Sequence, residues 1–339
     1  MLVTGGSGFI AGHTILQLLA AGHRVRTTVR SPARAAEVRS ALGRAGLVNG
    51  HNLSFVAADL TGDDGWAEAT AGVEHVLHMA SPVQPGHVDD EDALITPARE
   101  GTLRVLRAAR DAGVSRVVLT SAFHAVSWGH PRTGHIFTEN DWTVLGGPGV
   151  DAYGRSKTLA ELAAWEFMTA TDSTMELTTM LPVAVMGPVV GGAVSGANHL
   201  VQNLLTGGMP AVPHLFIPVV DVRDVAAAHL LAMTNPDAAG QRFLLSNGPA
   251  IELSEMAALL RARLGEAASK TPTRTVPNLA VRVGSLFSRQ LRSVAPDVGY
   301  AKRTSNEKAR TVLGWAPRAP RDAVVAAAES MVELGLVAA

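Results

Sequence analysis

The stretch "VTGGSGFIAGH", residues 3–13, separates a short apolar run from a helical pattern at the start of the chain. Its glycines and alanine Gly5, Gly8 and Ala11 are spaced three apart. A tight strand-to-helix turn needs residues without a Cβ, and the helix N-terminus that follows presents free N–H groups to an anion. The stretch therefore predicts a site for the pyrophosphate of a dinucleotide. The residues predicted to line it are Gly5, Ser7, Gly8, Phe9 and Ile10.

Beyond this loop, short β-branched runs alternate with longer helical patterns. The predicted strands are Leu2–Thr4, Val25–Val29, Leu53–Ala57, His75–Met79, Val117–Leu119 and Leu177–Leu181. The predicted helices are Ile10–Ala21, Ala33–Ala41, Thr102–Ala112 and Ser156–Ala170. Such alternation favours an α/β fold with a parallel sheet covered on both faces, the Rossmann-type doubly wound architecture.

After about residue 185 the pattern becomes rich in glycine and proline, as in "GPVVGGAVSGANH". Loops of this composition are typical of the surroundings of a ligand pocket. We expect a cofactor-binding domain over residues 1–185 and, over 186–339, mainly a small substrate-binding lobe. The lobe is expected to be interleaved with the sheet, with a segment at about 215–235 returning to the main domain.

Composition excludes several classes of function. The 339 residues are 47% hydrophobic and 17% charged, and the net charge of −1 gives no reason to expect nucleic acid or an anionic membrane as a partner. The absence of cysteine excludes disulfides, thiolate chemistry and cysteine-ligated metals. The histidines lack the spacing of metal ligands, so no metal site is predicted. With no signal-peptide pattern and no apolar run of roughly 18 residues, a soluble cytoplasmic protein is expected.

The second predicted strand distinguishes between the two nicotinamide dinucleotides. An NAD site usually places Asp or Glu there to bind the ribose 2′-hydroxyl, but this strand is followed by Arg30 with Arg34 nearby. A guanidinium suits the 2′-phosphate of NADP(H), although a solvated surface arginine is the alternative interpretation. The pattern favours NADP(H).

The next two strands supply further candidates for cofactor contacts. Asp59 and Leu60 follow the third strand, where a leucine side chain could lie against the adenine ring. An Asp at the end of a strand is, however, more often a helix cap. The small residues after the fourth strand can admit a cofactor, and a proline stiffens the turn. These residues are Ala80, Ser81 and Pro82.

A tyrosine and a lysine lie four residues apart in "DAYGRSKTLAELAAWEF", on one face at the start of a helix. Tyr153 can act as a general acid towards a carbonyl if a nearby ammonium lowers its pKa, and Lys157 supplies that charge. Because the pair follows a nucleotide loop and a strand that ends in Thr120-Ser121, we interpret it as catalytic.

The ordered motifs of this chain resemble those of the extended short-chain dehydrogenases/reductases, close to the dihydroflavonol reductase-like carbonyl and aldehyde reductases. The matching pieces are "VTGGSGFIA", "TVRSPAR", "ADL", "HMASP", "VVLTSA", "YGRSKTLAE", "LPVAVMGP", "VDVRDVAAAHLLAM" and "LGWAPR". The resemblance implies hydride transfer from NADPH to a ketone or aldehyde. It implies Tyr153 as proton donor and Lys157 as ribose ligand, with Thr120 in the cofactor site and Pro182 and Val185 bordering the nicotinamide.

The chain departs from this family at one position. The family pattern Thr-Ser-Ser corresponds here to Thr120-Ser121-Ala122, so the expected catalytic serine is replaced by Ala122. Ser121 could substitute, although adjacent strand residues point to opposite faces. His124 could donate the hydrogen bond instead, or it could be a packed loop histidine. In the third alternative, the alanine weakens catalysis.

The predicted function is NADPH-dependent reduction of an aldehyde, ketone or ketoester, with a small carbonyl compound as the partner and a monomer or homodimer as the assembly. The residues predicted to face the substrate are His124, Trp128, Met186 and His199. Three alternatives remain open at this stage: an impaired or redirected and possibly engineered enzyme, a cofactor-sensing protein, and a sugar-nucleotide epimerase or dehydratase. The arginines that suit a 2′-phosphate weigh against the last of these.

Overall fold

A computed structural model describes residues 1–82, 90–288, 291 and 294–337. Within them, seven parallel strands form one sheet in the order β12-β7-β5-β4-β1-β2-β3. These strands are β1 (Leu2–Val3), β2 (Val25–Val29), β3 (Leu53–Ala57), β4 (His75–His78), β5 (Arg116–Thr120), β7 (Glu176–Pro182) and β12 (Arg242–Leu245). Because the order reverses beside β1, the carboxyl ends of β1 and β4 border a crevice of the kind that binds nucleotides.

Helices cover both faces of the sheet. They are α1 (Phe9–Ala20), α2 (Ala33–Arg44), α3 (Trp66–Thr70), α4 (Asp92–Asp111), α5 (Ala152–Ala170) and α7 (Val222–Thr234). Alternate strand residues face opposite cores: Val118 packs in the core that includes α1 and α7, whereas Val117 packs in the core that includes α3 and α4. Burial on both faces explains the continuous apolar runs of the strands.

A third core, apart from the two that flank the sheet, belongs to the C-terminal half of the chain. It is formed mainly by α6 (Asn198–Leu205), α8 (Leu253–Leu264) and α11 (Pro320–Glu333). Two further helices in the described part of the chain are α9 (Asn278–Gly284) and α10 (Glu307–Leu313). Short strand pairs join β8 (Ala184–Met186) to β11 (Val219–Asp221), β9 (Val212–Pro213) to β14 (Thr275–Val276), β10 (Phe216–Ile217) to β13 (Ile251–Glu252), and β6 (Ile136–Phe137) to β15 (Arg303–Thr304).

The structure confirms the predicted fold class and corrects two helix boundaries. Helix α5 begins at Ala152 rather than at Ser156, because the carboxylate of Asp151 accepts a hydrogen bond from the backbone N–H of Gly154 and caps the helix. Helix α4 begins at Asp92, ten residues before the predicted start. Strand β12 (Arg242–Leu245) joins the main sheet. It lies after the segment at about 215–235, which was the part of the C-terminal half that we expected to return to the main domain.

Two further observations concern the described part of the chain. None of its helices combines the length and apolar character needed to cross a bilayer. None of its clusters of histidine, aspartate and glutamate has the arrangement of a metal site.

Candidate active site

The glycine loop between β1 and α1 leaves no room for side chains. Gly5 has a φ of +72°, and a Cβ there would lie 3.0 Å from the Cα of Ala80. At Gly6, a Cβ would lie 2.4 Å from the hydroxyl of Thr27. Gly6 is therefore required as well, although the three-residue spacing did not identify it. Glycine at both positions lets the loop pack directly against Thr27 of β2 and against Ala80 after β4.

Helix α1 begins directly after this loop. Gly8 is the N-cap and has no side chain to satisfy the first N–H groups of the helix. These donors and the positive end of the helix dipole suit a pyrophosphate. The bare loop and the uncapped helix therefore fit a dinucleotide, as predicted for Gly5, Ser7, Gly8, Phe9 and Ile10.

The end of β2 presents arginine rather than an acid. Arg30 is exposed, and Arg34 is 44% exposed and lies 3.7 Å from the carboxylate of Glu37. The nearby carboxylate of Asp59 is held in a turn, where it accepts hydrogen bonds from the backbone N–H of Thr61 at 2.8 Å and from its hydroxyl at 2.7 Å. These bonds lower the pKa of Asp59. Two guanidinium groups thus remain accessible for a phosphate.

The other predicted cofactor residues lie around the carboxyl ends of β3 and β4. Leu60 packs against Gly101 of α4, so closely that a Cβ at Gly101 would lie 2.8 Å from the Leu60 Cβ. Ala80 lies against Gly5, and its backbone N–H donates to the Thr4 hydroxyl at 2.9 Å. Ser81 and Pro82 continue along this edge and are half-buried.

Tyr153 and Lys157 lie in the first turns of α5, with the Lys157 ammonium 5.9 Å from the centre of the Tyr153 ring. Burial, and secondarily the Asp151 charge, raise the pKa of Tyr153 to about 12. Burial lowers the pKa of Lys157 to about 8, partly opposed by Glu161. The expectation that Lys157 lowers the pKa of Tyr153 is therefore not met. Tyr153 is instead held protonated, which suits a proton donor.

Ser121 does not face Tyr153. Its hydroxyl donates a 2.6 Å hydrogen bond to the carboxylate of Glu161, one helical turn beyond Lys157 on α5. Glu161 is fully buried and also accepts hydrogen bonds from Thr179 on β7 and Arg242 on β12, both at 2.8 Å. The 2.6 Å bond commits the Ser121 hydroxyl to this network and weighs against the hypothesis that Ser121 replaces the catalytic serine, which stays a prediction.

Removing Glu161 should destabilise the fold. Glu161→Leu leaves the Arg242 guanidinium without its buried ion-pair partner, and loss of one partner of such a pair costs about 3–5 kcal/mol. Urea unfolding followed by circular dichroism measures the change in the free energy of unfolding. The matched control is Glu255→Leu, which breaks the exposed ion pair with Arg321 and should cost less than about 1 kcal/mol. Equal costs for the two variants would contradict a structural role for the buried network.

Ala122 lies two residues after the end of β5, has an extended backbone and is buried. Two residues later, His124 brings its imidazole to Tyr153: the two rings meet edge to face with centres 4.9 Å apart. The other face of His124 stacks on Trp128, with centres 3.8 Å apart and planes within 14°. His124 thus lies beside Tyr153, and Trp128 lies against His124; that both side chains face a substrate stays a prediction.

His124 is uncharged in this setting. Burial, together with the charges of Lys302 and Lys157, lowers its pKa to about 3. A neutral imidazole carries one N–H donor, and within the described chain no protein group hydrogen-bonds to this ring. His124 therefore offers a free, uncharged donor next to the ring of Tyr153.

The remaining predicted residues fall into two groups: some lie at or near strand ends, and the others have side chains that are committed elsewhere. Pro182 is the last residue of β7, and Val185 lies in β8; that they border the nicotinamide stays a prediction. The hydroxyl of Thr120 faces away, 2.8 Å from Nε2 of the buried His229 on α7. Met186 is fully buried in the C-terminal core, and His199 is exposed on α6, where it pairs with Gln202.

Sequence reasoning missed two residues that shape the site. The hydroxyl of Thr143 donates to the His124 carbonyl at 2.7 Å and accepts from the Trp128 N–H at 3.0 Å, so it fixes the loop that carries both rings. The ammonium of Lys302 lies 3.5 Å from the centre of the Trp128 ring. No local pattern signals either contact, because each joins segments far apart in sequence.

The comparisons with known proteins agree with this geometry. Residues 1–245 match the family described as "NAD dependent epimerase/dehydratase family". The chain therefore belongs to this family, and the predicted resemblance to extended short-chain dehydrogenases/reductases is confirmed. Within the family, its relatives are reductases and oxidoreductases by name.

Two curated relatives illustrate this similarity. An uncharacterized oxidoreductase of Schizosaccharomyces pombe is 35% identical over 265 residues, covering 73% of this chain and 77% of that protein. The dihydroflavonol 4-reductase of Zea mays is 32% identical over 278 residues, covering 78% of this chain and 74% of the relative.

Two solved structures share the fold over 98% of each chain. The yeast methylglyoxal/isovaleraldehyde reductase Gre2, complexed with NADPH, has a TM-score of 0.81 and 26% identity. Gre2 of Candida albicans, also in complex with NADPH, has a TM-score of 0.80 and 27% identity. These similarities agree with the predictions that this protein is an oxidoreductase and that its cofactor is a nicotinamide dinucleotide.

Proposed function

We propose that this protein is an NADPH-dependent reductase that converts an aldehyde, ketone or ketoester to the alcohol. The observation that carries the proposal is the meeting of three side chains at the sheet edge: the protonated Tyr153, the ammonium of Lys157 and the uncharged imidazole of His124. An acid, a cation and a hydrogen-bond donor around one point suit protonation of a carbonyl oxygen.

The residues have distinct roles in this proposal. The glycine loop and the start of α1 hold the pyrophosphate, and Arg30 and Arg34 bind the 2′-phosphate. Lys157 holds the ribose hydroxyls through its buried ammonium. When bound, the cofactor supplies a hydride to the carbonyl carbon. Tyr153 donates its phenolic proton to the carbonyl oxygen, and its raised pKa keeps that proton in place until the oxygen becomes basic.

His124 takes the role that a serine at position 122 has in the family pattern. Its free N–H donates a hydrogen bond to the carbonyl oxygen as negative charge develops there. Because His124 is neutral, it stabilises that charge without transferring its own proton. The names of the relatives, which include an aldehyde reductase and a dihydroflavonol reductase, support a carbonyl substrate. Residues 1–185 would provide most of the cofactor site, with the C-terminal lobe on the substrate side.

The direct test is NADPH oxidation by the purified protein with a panel of aldehydes, ketones and ketoesters, followed at 340 nm. We expect turnover with at least one member and formation of the alcohol in equal amount to the NADPH consumed. NADPH binding without oxidation by any member of the panel would favour a cofactor-sensing protein over a reductase.

Cofactor preference depends on Arg30 in this proposal. Arg30→Ala should reduce the preference for NADPH over NADH about tenfold or more, because a hydrogen bond to a charged group contributes about 1.5–3 kcal/mol. The ratio of the two dissociation constants, measured by fluorescence titration, gives the effect. Arg44→Ala, which removes an exposed arginine at the far end of α2, is the matched control and should leave the ratio unchanged.

The pH profile depends on Lys157. Its pKa of about 8 means that the ammonium is present below that pH and is lost above it. We expect kcat/KM for NADPH, which reports groups of the free enzyme, to fall about tenfold for each pH unit above about 8. Tyr153 stays protonated over this range, so a flat profile up to pH 10 would contradict the role given to Lys157.

A further inference from the structure

A cavity of water size adjoins Lys157, between the residues around the ends of β4 and β5 and the helices α4 and α5. The volume open to the centre of a water molecule is about 10 Å³, and room for one water begins at roughly 10–15 Å³ in these terms. A buried water also needs about two to four polar partners. The cavity therefore suits one ordered water. The polar residues that line it include Ser81, Thr102, Ser121, Lys157 and Glu161.

The ammonium of Lys157 has room for such a partner. Lys157 is 8% exposed, and in the described part of the chain no residue accepts a hydrogen bond from its ammonium. A buried charge without a hydrogen bond is costly, and an ammonium carries three donors. One donor can therefore bind a water in the cavity while the others remain free for the ribose hydroxyls of the cofactor.

Ser121 provides an acceptor in the same cavity. Its hydroxyl donates its one proton to the Glu161 carboxylate at 2.6 Å, and among the described residues nothing donates to the hydroxyl oxygen. A hydroxyl has two lone pairs, so this oxygen can accept a hydrogen bond from a water. A single water can thus accept from Lys157 and donate to Ser121, which satisfies both buried groups.

Glu161 supplies the negative charge behind this hydroxyl. It follows Lys157 by one turn on the same face of α5, and both residues line the cavity. Thr179 and Arg242 bind its other oxygen, each at 2.8 Å, so the carboxylate is fixed in place and its charge is partly balanced. Burial lowers the pKa of Lys157, and the remaining charge of Glu161 opposes part of this lowering.

The other ionisable groups around Lys157 in the described chain are uncharged at neutral pH. Burial, and secondarily the charge of Lys157, lowers the pKa of His78 on β4 to about 3. His124 is likewise neutral, with a pKa of about 3, and Tyr153 is protonated, with a pKa of about 12. Glu161 is thus the group that favours the charged form of Lys157.

We propose that one buried water occupies this cavity, accepts a hydrogen bond from the Lys157 ammonium and donates one to the Ser121 hydroxyl, which in turn donates to Glu161. Ser121 and Glu161 are then positioning residues: they keep the ammonium charged and fix the direction in which its other donors point. The inference rests on the proposed function, in which Lys157 binds the cofactor ribose. It also gives Ser121 a part in the site although its hydroxyl does not face Tyr153.

The test is an NMR titration of the four lysines, Lys157, Lys270, Lys302 and Lys308, in protein labelled with ¹³C at the lysine Cε atoms. Loss of one signal in Lys157→Met identifies Lys157, whose midpoint we expect at a pH of about 8 in the wild type. Ser121→Val replaces the hydroxyl with methyl groups, which cannot accept a hydrogen bond from a water. We expect this variant to lower the Lys157 midpoint by about one pH unit, because a hydrogen bond to the charged form favours that form.

Thr179→Val is the matched control. It also removes a hydroxyl that donates to Glu161, at 2.8 Å, but Thr179 does not line the cavity, so the Lys157 midpoint should equal that of the wild type. An unchanged midpoint in Ser121→Val, or an equal fall in both variants, would overturn the proposal. If Ser121→Val does not fold, Glu161→Gln decides: the midpoint should again fall by about one pH unit, and no change would overturn the water-mediated link.

The NMR titration needs neither cofactor nor substrate, so its outcome is separate from that of the proposed function. Fluorescence titration with NADPH at several pH values then tests the link between the two. We expect Ser121→Val to lose NADPH affinity about one pH unit lower than the wild type does, because its Lys157 ammonium is lost there. If the NMR midpoint falls and the affinity profile does not move, the water-mediated link stands and the role of Lys157 in binding the ribose is wrong.

Discussion

Tyr153→Phe is expected to lower kcat/KM for carbonyl reduction by about 10²–10⁴, the contribution of a positioned general acid. The substitution removes the phenolic hydroxyl and leaves the ring in its contact with His124. Because burial keeps Tyr153 protonated, its proton is available throughout the neutral range. The loss should fall on kcat, since the hydroxyl acts on the reacting oxygen.

The control for Tyr153→Phe is cofactor affinity. Titration of protein fluorescence with NADPH should give a dissociation constant close to that of the wild type, because the glycine loop, Arg30 and Lys157 are untouched. The proposal would be wrong if the variant kept its full rate. A parallel loss of NADPH binding would instead indicate a disturbed fold.

His124→Ala is expected to lower kcat by about 10²–10³, the cost of losing one donor to a developing oxyanion. We propose this role for His124 because Ser121 is bound to Glu161 and the side chain at position 122 is a methyl group. If His124 merely packs against Trp128, we expect His124→Ala to have a smaller effect on kcat and a larger effect on the free energy of unfolding.

A double-mutant design separates these two roles of His124. Ala122→Ser restores the hydroxyl that the family pattern has at this position. In the His124→Ala background, it should recover a large part of the lost rate, whereas in the wild-type background its effect should be small. If Ala122→Ser fails to rescue His124→Ala but both proteins unfold at the same urea concentration as the wild type, His124 does not replace the serine. If His124→Ala keeps its full rate, the same conclusion follows directly.

The hydrogen bonds that Glu161 accepts explain the orientation of the Ser121 side chain, which follows the end of β5. One carboxylate joins Ser121 of the β5 end, Thr179 of β7, Arg242 of β12 and its own helix α5. Helix α5, which carries Tyr153 and Lys157, is thereby tied to three neighbouring strands. Ser121 accordingly has a structural partner, and in our proposal the donor beside Tyr153 comes from the loop that follows.

Much of the architecture was predictable because it depends on local patterns. The bounds of β2 and β3 agree with the predicted ones, since both runs are rich in the β-branched and aromatic residues that favour strands. The glycine loop could be recognised because a strand-to-helix turn excludes side chains, and Tyr153 and Lys157 could be paired because a spacing of four places them on one helix face. The start of α5 was missed although Asp151, a good N-cap residue, marked it.

The amino-acid sequence by itself determined the doubly wound sheet, the dinucleotide loop and the tyrosine–lysine pair, because each arises from the order of neighbouring residues. Only the tertiary structure decided which way Ser121 faces, that His124 adjoins Tyr153, and that Lys302 lies on Trp128. Likewise, it placed Met186 in a core and His199 at the surface. These outcomes depend on how distant segments pack, since a side chain turns towards the partner that best satisfies its charge, its hydrogen bonds or its apolar surface.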